Sequence, residues 1–121
     1  MIDRNQLAPW LDVNRDVVCG WLDQFITSVP KHLAAARTAL AAGNAAAVET
    51  ALHDGKNAIC YAGAAGRLRE AVVEALAMCG TTTTPRLPED EERFLRLLEE
   101  LEVQHARAST GAARLREEFA R

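Results

Sequence analysis

Apolar residues in this chain recur every three or four positions and almost never alternate, which is the spacing of helix faces and not of strands. Five such stretches succeed one another. A short one covers about residues 4–11. The second begins after Asn14, a good N-cap, and carries Val18, Leu22, Phe25, Val29, Leu33, Ala36 and Leu40. Pro30 falls inside it, but the stripe continues in phase, so a kink is expected and not an end. Gly43 suits the left-handed closing position, and Asn44 caps the next helix. This third helix spans about 45–62, with Val48, Leu52, Ile59 and Ala62 inward and Ala51 and Gly55 on the same side. Gly63 and Gly66 flank a turn into a fourth, roughly 65–79, carrying Leu68, Val72, Leu76 and Cys79. Gly80 to Pro85, with its run of threonines, reads as a linker. Pro88 then starts the last helix, where Glu89 to Glu92 favour the positive end of the helix dipole. Its apolar seam is Phe94, Leu98, Leu101, His105, Ala108, Ala112, Leu115 and Phe119, alternating steps of four and three, which predicts a straight antiparallel packing edge.

The expected fold is therefore all-α: an antiparallel four-helix bundle with a short additional N-terminal helix, forming one domain over residues 1–121. Composition sharpens this picture. Apolar residues are 49% of the chain and aromatics only 5%, so the core should be thin and close-packed around alanine. Seventeen acidic against fourteen basic residues leave a net charge of -3, with no Lys/Arg cluster to attract nucleic acid or an anionic membrane. Cys19, Cys60 and Cys79 are odd in number and far apart, which argues against disulfides or a zinc site. No apolar run reaches the ~20 residues of a membrane span, and the first residues do not read as a signal peptide. A soluble, cytoplasmic protein is expected.

Candidate chemistry lies on the third helix. At ~100° per residue, His53 falls roughly 140° from Val48 and ~100° from Leu52, away from the core. Glu49, Lys56, Asn57 and Cys60 share its side of the helix through their spacing of three, four and seven residues. A neutral imidazole is a nucleophile near pH 7 and accepts a phosphoryl group on a ring nitrogen. A lysine one turn away stabilises the negative oxygens of that group. Phosphoryl transfer asks mainly for positioning and charge neutralisation, much of which a partner can supply.

The stretch Ala51-Leu52-His53-Asp54-Gly55-Lys56-Asn57-Ala58-Ile59-Cys60-Tyr61-Ala62-Gly63-Ala64 resembles the signature of the histidine-containing phosphotransfer (HPt) domains. In that family the histidine is followed by lysine three residues on, and by Gly-Ala ten and eleven on. Here these are Lys56, Gly63 and Ala64. Leu22, Phe25, Val29-Pro30, Leu33 and Ala39 to Asn44 match the family's preceding helix and turn. The resemblance covers about residues 3–79 well and the last helix more loosely. It implies the same helical core and a carrier role: His53 would receive phosphate from one receiver-domain aspartate and pass it to another. Lys56 would steady the phosphoryl group, and Glu49, Asn57 and Cys60 would meet the partner. The implied partners are a response-regulator receiver domain or a hybrid sensor kinase. The receiver would bring the Mg²⁺, this chain would hold no cofactor, and it would act as a monomeric carrier without catalysis of its own.

Two positions depart from the family pattern. Gly55 stands where a large apolar residue is usual, and Asn57 where a glycine usually lets the receiver approach closely. Leu68 also comes one place late after the Gly-Ala pair. These positions carry the second expectation, a non-catalytic module that docks a receiver or kinase without transfer. Among the other histidines, His105 lies on the last helix's seam and reads as a core residue, and His32 reads as a solvated surface residue. Trp10 and Trp21 read as core or bundle-edge residues. No phosphate-cradling glycine loop, nucleophile elbow or metal-ligand cluster is present in the pattern.

Overall fold

The computed structural model describes residues 2–121. Five helices account for most of it: α1 (Arg4–Leu11), α2 (Arg15–Ala41), α3 (Ala45–Tyr61), α4 (Arg67–Ala77) and α5 (Glu91–Phe119). Among the described residues the only β pairing is two isolated bridges, so the all-α expectation holds.

Side-chain caps start four of the helices. Asp3, Asn14, Asn44 and Asp90 each accept a hydrogen bond from a backbone N–H two or three residues on, satisfying donors that the helix leaves free. Gly43 closes α2 at φ +67°, the left-handed conformation expected of it. α2 runs unbroken through Pro30. Two boundaries differ from the sequence reading. α5 begins at Glu91, not at Pro88, because Asp90 supplies the cap by accepting from the Arg93 N–H at 3.0 Å, while Pro88 is buried in the segment before it. α4 begins at Arg67 because residues 62–66 are occupied otherwise. The Asp3 N–H donates to the Gly63 carbonyl at 2.7 Å, and Ile2 pairs with Ala64, so this turn anchors the N-terminal segment. A Cβ at Gly63, which sits at φ +75°, would lie 3.1 Å from the Asp3 carbonyl oxygen. The Gly63-Ala64 pair thus has a packing role in this chain: both residues are buried.

α2 packs on α3 and α5, and α4 packs on α3 and α5, so each of the four longer helices has two neighbours. Ion pairs fix the directions. Asp23 meets Arg116 and, further along α2, Arg37 meets Glu102 earlier in α5, so α2 and α5 run antiparallel. Arg67 of α4 reaches Glu100 of α5 at 2.5 Å, tying the two helices together, and Glu74 of its own helix at 2.8 Å. The core between these helices holds Leu22, Phe25, Leu52, Leu68, Phe94 and Leu98, all at most 1% exposed, with alanines 36, 71, 75 and 112 letting the backbones close in. The α5 seam is buried as expected except that Leu115 is only partly so. Leu97 joins it, because α5 faces two helices and its apolar stripe is wider than a two-position seam. Among the described residues no helix is long and apolar enough to cross a membrane.

Candidate functional site

α3 holds His53 where the helical rotation requires. Val48 and Leu52 are buried at 0% and 1%, while the His53 side chain is 48% exposed. Lys56, one turn on, is half-buried on the same side and makes no hydrogen bond or ion pair among the described residues, leaving its ammonium available. Asn57 is exposed. Cys60 is partly buried at the edge of a 210 Å³ cleft that Trp10, Trp21 and Tyr61 also line. Those aromatics form a chain: Trp10 meets Trp21 edge-on at 5.7 Å, and Trp21 stacks on Tyr61 at 5.6 Å.

Glu49 corrects the sequence reading. It lies on the His53 side of α3 but not at the surface, being only 5% exposed. The Gly80–Pro85 segment, read as a linker, folds back over it. Thr82 Oγ1 donates to Glu49 Oε1 at 3.0 Å, and the same oxygen lies 3.9 Å from His53 Nδ1. Glu49 is therefore covered by its own chain, while its carboxylate still faces the histidine. The segment is a built turn. Thr81 N–H donates to the Thr84 carbonyl at 3.1 Å, Thr84 N–H to Thr81 Oγ1 at 2.9 Å, and Arg86 N–H to the Cys79 carbonyl at 2.9 Å. Gly80 permits it: φ is +76°, and a Cβ there would fall 2.4 Å from the Thr84 carbonyl oxygen. Thr82 was missed because periodicity says nothing about a turn. The available signal was a glycine followed by four residues able to hydrogen-bond their own backbone.

Gly55 faces α2. A Cβ there would meet His32 Cβ at 3.6 Å, an ordinary contact, so the position has room for a methyl group. His32 is accordingly half-buried against α3 and not fully solvated. His105 is a core residue as expected: its Nε2 donates to the Phe25 carbonyl at 2.7 Å, and its ring packs on Phe25 at 4.7 Å. Cys19, Cys60 and Cys79 are free. Burial, followed by the nearby Glu49 charge, pushes the Cys79 thiol up to about 11, so it stays protonated and inert at neutral pH. Among the described residues no group of His, Cys, Asp and Glu is placed to hold a metal ion.

The site as a whole is an imidazole presented to solvent, a free cation one turn along, and a covered carboxylate behind one ring nitrogen. An exposed imidazole beside a cation is chemically suited to nucleophilic attack on a phosphoryl group. Comparison with protein-family models, curated proteins and solved structures gives no match to this chain.

Proposed function

We propose that this chain is a phosphorelay intermediate of the HPt kind: an antiparallel four-helix bundle, cytoplasmic and monomeric, that carries a phosphoryl group on His53 between receiver-domain aspartates. The observation that supports this most is the exposed His53 with Lys56 free on the same face of α3, set within the HPt-like stretch from Ala51 to Ala64. Lys56 neutralises the phosphoryl oxygens. The receiver brings the Mg²⁺ and most of the catalysis, so the chain is a carrier and not an autonomous enzyme.

The test is incubation with a phosphorylated receiver domain, scored as acid-labile, base-stable phosphate on the chain. His53→Gln should abolish acceptance and leave the fold intact, because an exposed side chain contributes little to packing. Lys56→Ala should slow transfer without abolishing it. Label on His105 or His32 would overturn the assignment. A second reading has its own observation: Asn57 places an exposed amide where a receiver would approach His53. In that reading the chain docks a receiver or kinase without transfer. Binding without phosphorylation across a panel of donors, restored by Asn57→Gly, would favour it.

A further inference from the structure

We infer that the solvent face of α5 docks the same face of a second copy of this chain, antiparallel, about a two-fold axis between Ala106 and Arg107. This goes beyond the phosphorelay reading and does not depend on it.

The charges of α5 fall into two sets. Those flanking its buried stripe are engaged by other helices: Glu100 by Arg67, Glu102 by Arg37 and Arg116 by Asp23. A second set lies opposite the core. It comprises Glu92, Arg96 and Glu99 in the first half of the helix, then Arg114, Glu117 and, just past its end, Arg121. At ~100° per residue these six stand within about 60° of Val103, which points roughly opposite to the buried Phe94 and Ala112. All six are exposed. Among the described residues their side chains make one ion pair, Arg96 with Glu92 a turn away at 3.6 Å, and none with another helix.

The order of these charges selects the occupant. Turned end over end about the axis, the face meets its own opposite. Glu92 falls against Arg121 of the second copy, Arg96 against Glu117, and Glu99 against Arg114. The symmetry repeats each contact, as in any two-fold interface. A parallel pairing would set like charges against like. Near the axis Val103, 46% exposed, falls against Thr110 of the second copy, and Ala106 lets the two backbones approach. Arg107 works against the pairing, because it stands beside the axis and close to its own copy.

Exposed ion pairs are individually weak, so these charges set partner, direction and register more than strength. A single helix pair also buries less than the ~1,600 Å² of a standard interface. The pairing is therefore reversible, and the single chain prevails in dilute solution. α3 stands diagonally across the bundle, packing like α5 on α2 and α4, so each exposed His53 stays open in the pair.

Sedimentation equilibrium of the full chain, up to about 1 mM protein, tests this without any phosphoryl donor. A monomer–dimer equilibrium should appear at about 10 mM salt, where charges act over ~30 Å, and fade at about 1 M, where they act over ~3 Å. Glu99→Arg and Arg114→Glu should each raise the dissociation constant at least ~10-fold by placing like charges together. Combining both in one chain should restore pairing, and so should mixing the two single variants. Residues 99 and 114 lie about 22 Å apart along one helix, so such a rescue requires contact between chains. All the altered side chains are exposed, and circular dichroism checks that the helices persist. Arg107→Ala removes the one like-charged contact and should tighten the pair. A wild-type chain that stays monomeric at about 1 mM in low salt overturns the inference and leaves the face to a different charged partner. A dimer that ignores both charge reversals, is not rescued by combining them, or loosens with Arg107→Ala has its interface elsewhere and overturns it as well.

Discussion

His53 and His105 sit midway along long helices, and each has a polar partner on its own helix four residues away, Glu49 for one and Ser109 for the other. The two rings are otherwise opposites. His105 is 5% exposed, packed on Phe25 and tied to the Phe25 backbone across the α2–α5 interface. His53 is half in solvent and has no hydrogen bond among the described residues, only a carboxylate just beyond reach. A polar ring inside a helix interface must be fully partnered to be tolerated, and once partnered it is held in one state. A ring at the surface keeps its lone pair for chemistry and owes its orientation to electrostatics. The same residue type thus serves cohesion in α5 and is left to solvent in α3.

The sharpest way to break this comparison is to truncate both rings. His105→Ala should cost about 2–4 kcal/mol, since it leaves a cavity beside Phe25 and removes the partner of its carbonyl. His53→Ala should stay within ~0.5 kcal/mol. Urea unfolding measures both, and equal losses would dissolve the distinction. Next in size is Gly80→Ala. The positive φ and the clash with the Thr84 carbonyl should cost about 1–3 kcal/mol and release Thr82 from Glu49, with faster amide exchange at Arg86 as the local sign. Gly55→Ala acts in the opposite direction. The helix gains about 0.5–1 kcal/mol of propensity, and the new methyl group only touches His32. A destabilised Gly55→Ala would mean that α3 is pressed on α2 more tightly near His53 than the 3.6 Å contact indicates.

The smallest effect expected is in acid, and it falls on the α5 side. Hydrogen bonds from Arg67 hold Glu100 and Glu74 below the usual carboxylate value, and Arg4 does the same for Glu118. Folded values below the unfolded ones give stability that is present above the unfolded pKa and lost as pH falls through the folded values. The contribution is modest because these groups are solvated. Glu100→Gln should flatten the fall in melting temperature between about pH 5 and pH 3. An unchanged slope would remove the Arg67 contacts from the account of how α4 and α5 are held.

Much of this was legible in the sequence because it depends on local rules. Asn14 and Asn44 announce helix starts, Gly43 announces an end, and the phase of Val48, Leu52 and Ile59 turns His53 outward. Glu49 was misjudged for a reason of the opposite kind. Periodicity assigns a side of a helix, but whether that side is covered depends on a segment some thirty residues later folding back over it. The early start expected for α4 failed similarly, because residues 62–66 are recruited by Asp3 and Ile2 from the far end of the chain. Thr82, invisible to apolar spacing, is the fourth side chain of the candidate site, beside His53, Lys56 and Glu49.

The aromatic chain of Trp10, Trp21 and Tyr61 gives the molecule a built-in optical gauge. Tyr61 lies about two helical turns beyond His53, stacked on Trp21, and Trp10 stands 51% exposed at the other end. Light absorbed by the tyrosine passes to the indoles, and the emission of a half-exposed indole changes colour when water is displaced from it. A partner settling over Cys60 would close the cleft that Trp10 and Trp21 also line. Its arrival could then be followed in unlabelled protein as a blue shift, on the timescale of mixing, separately from any transfer of phosphate.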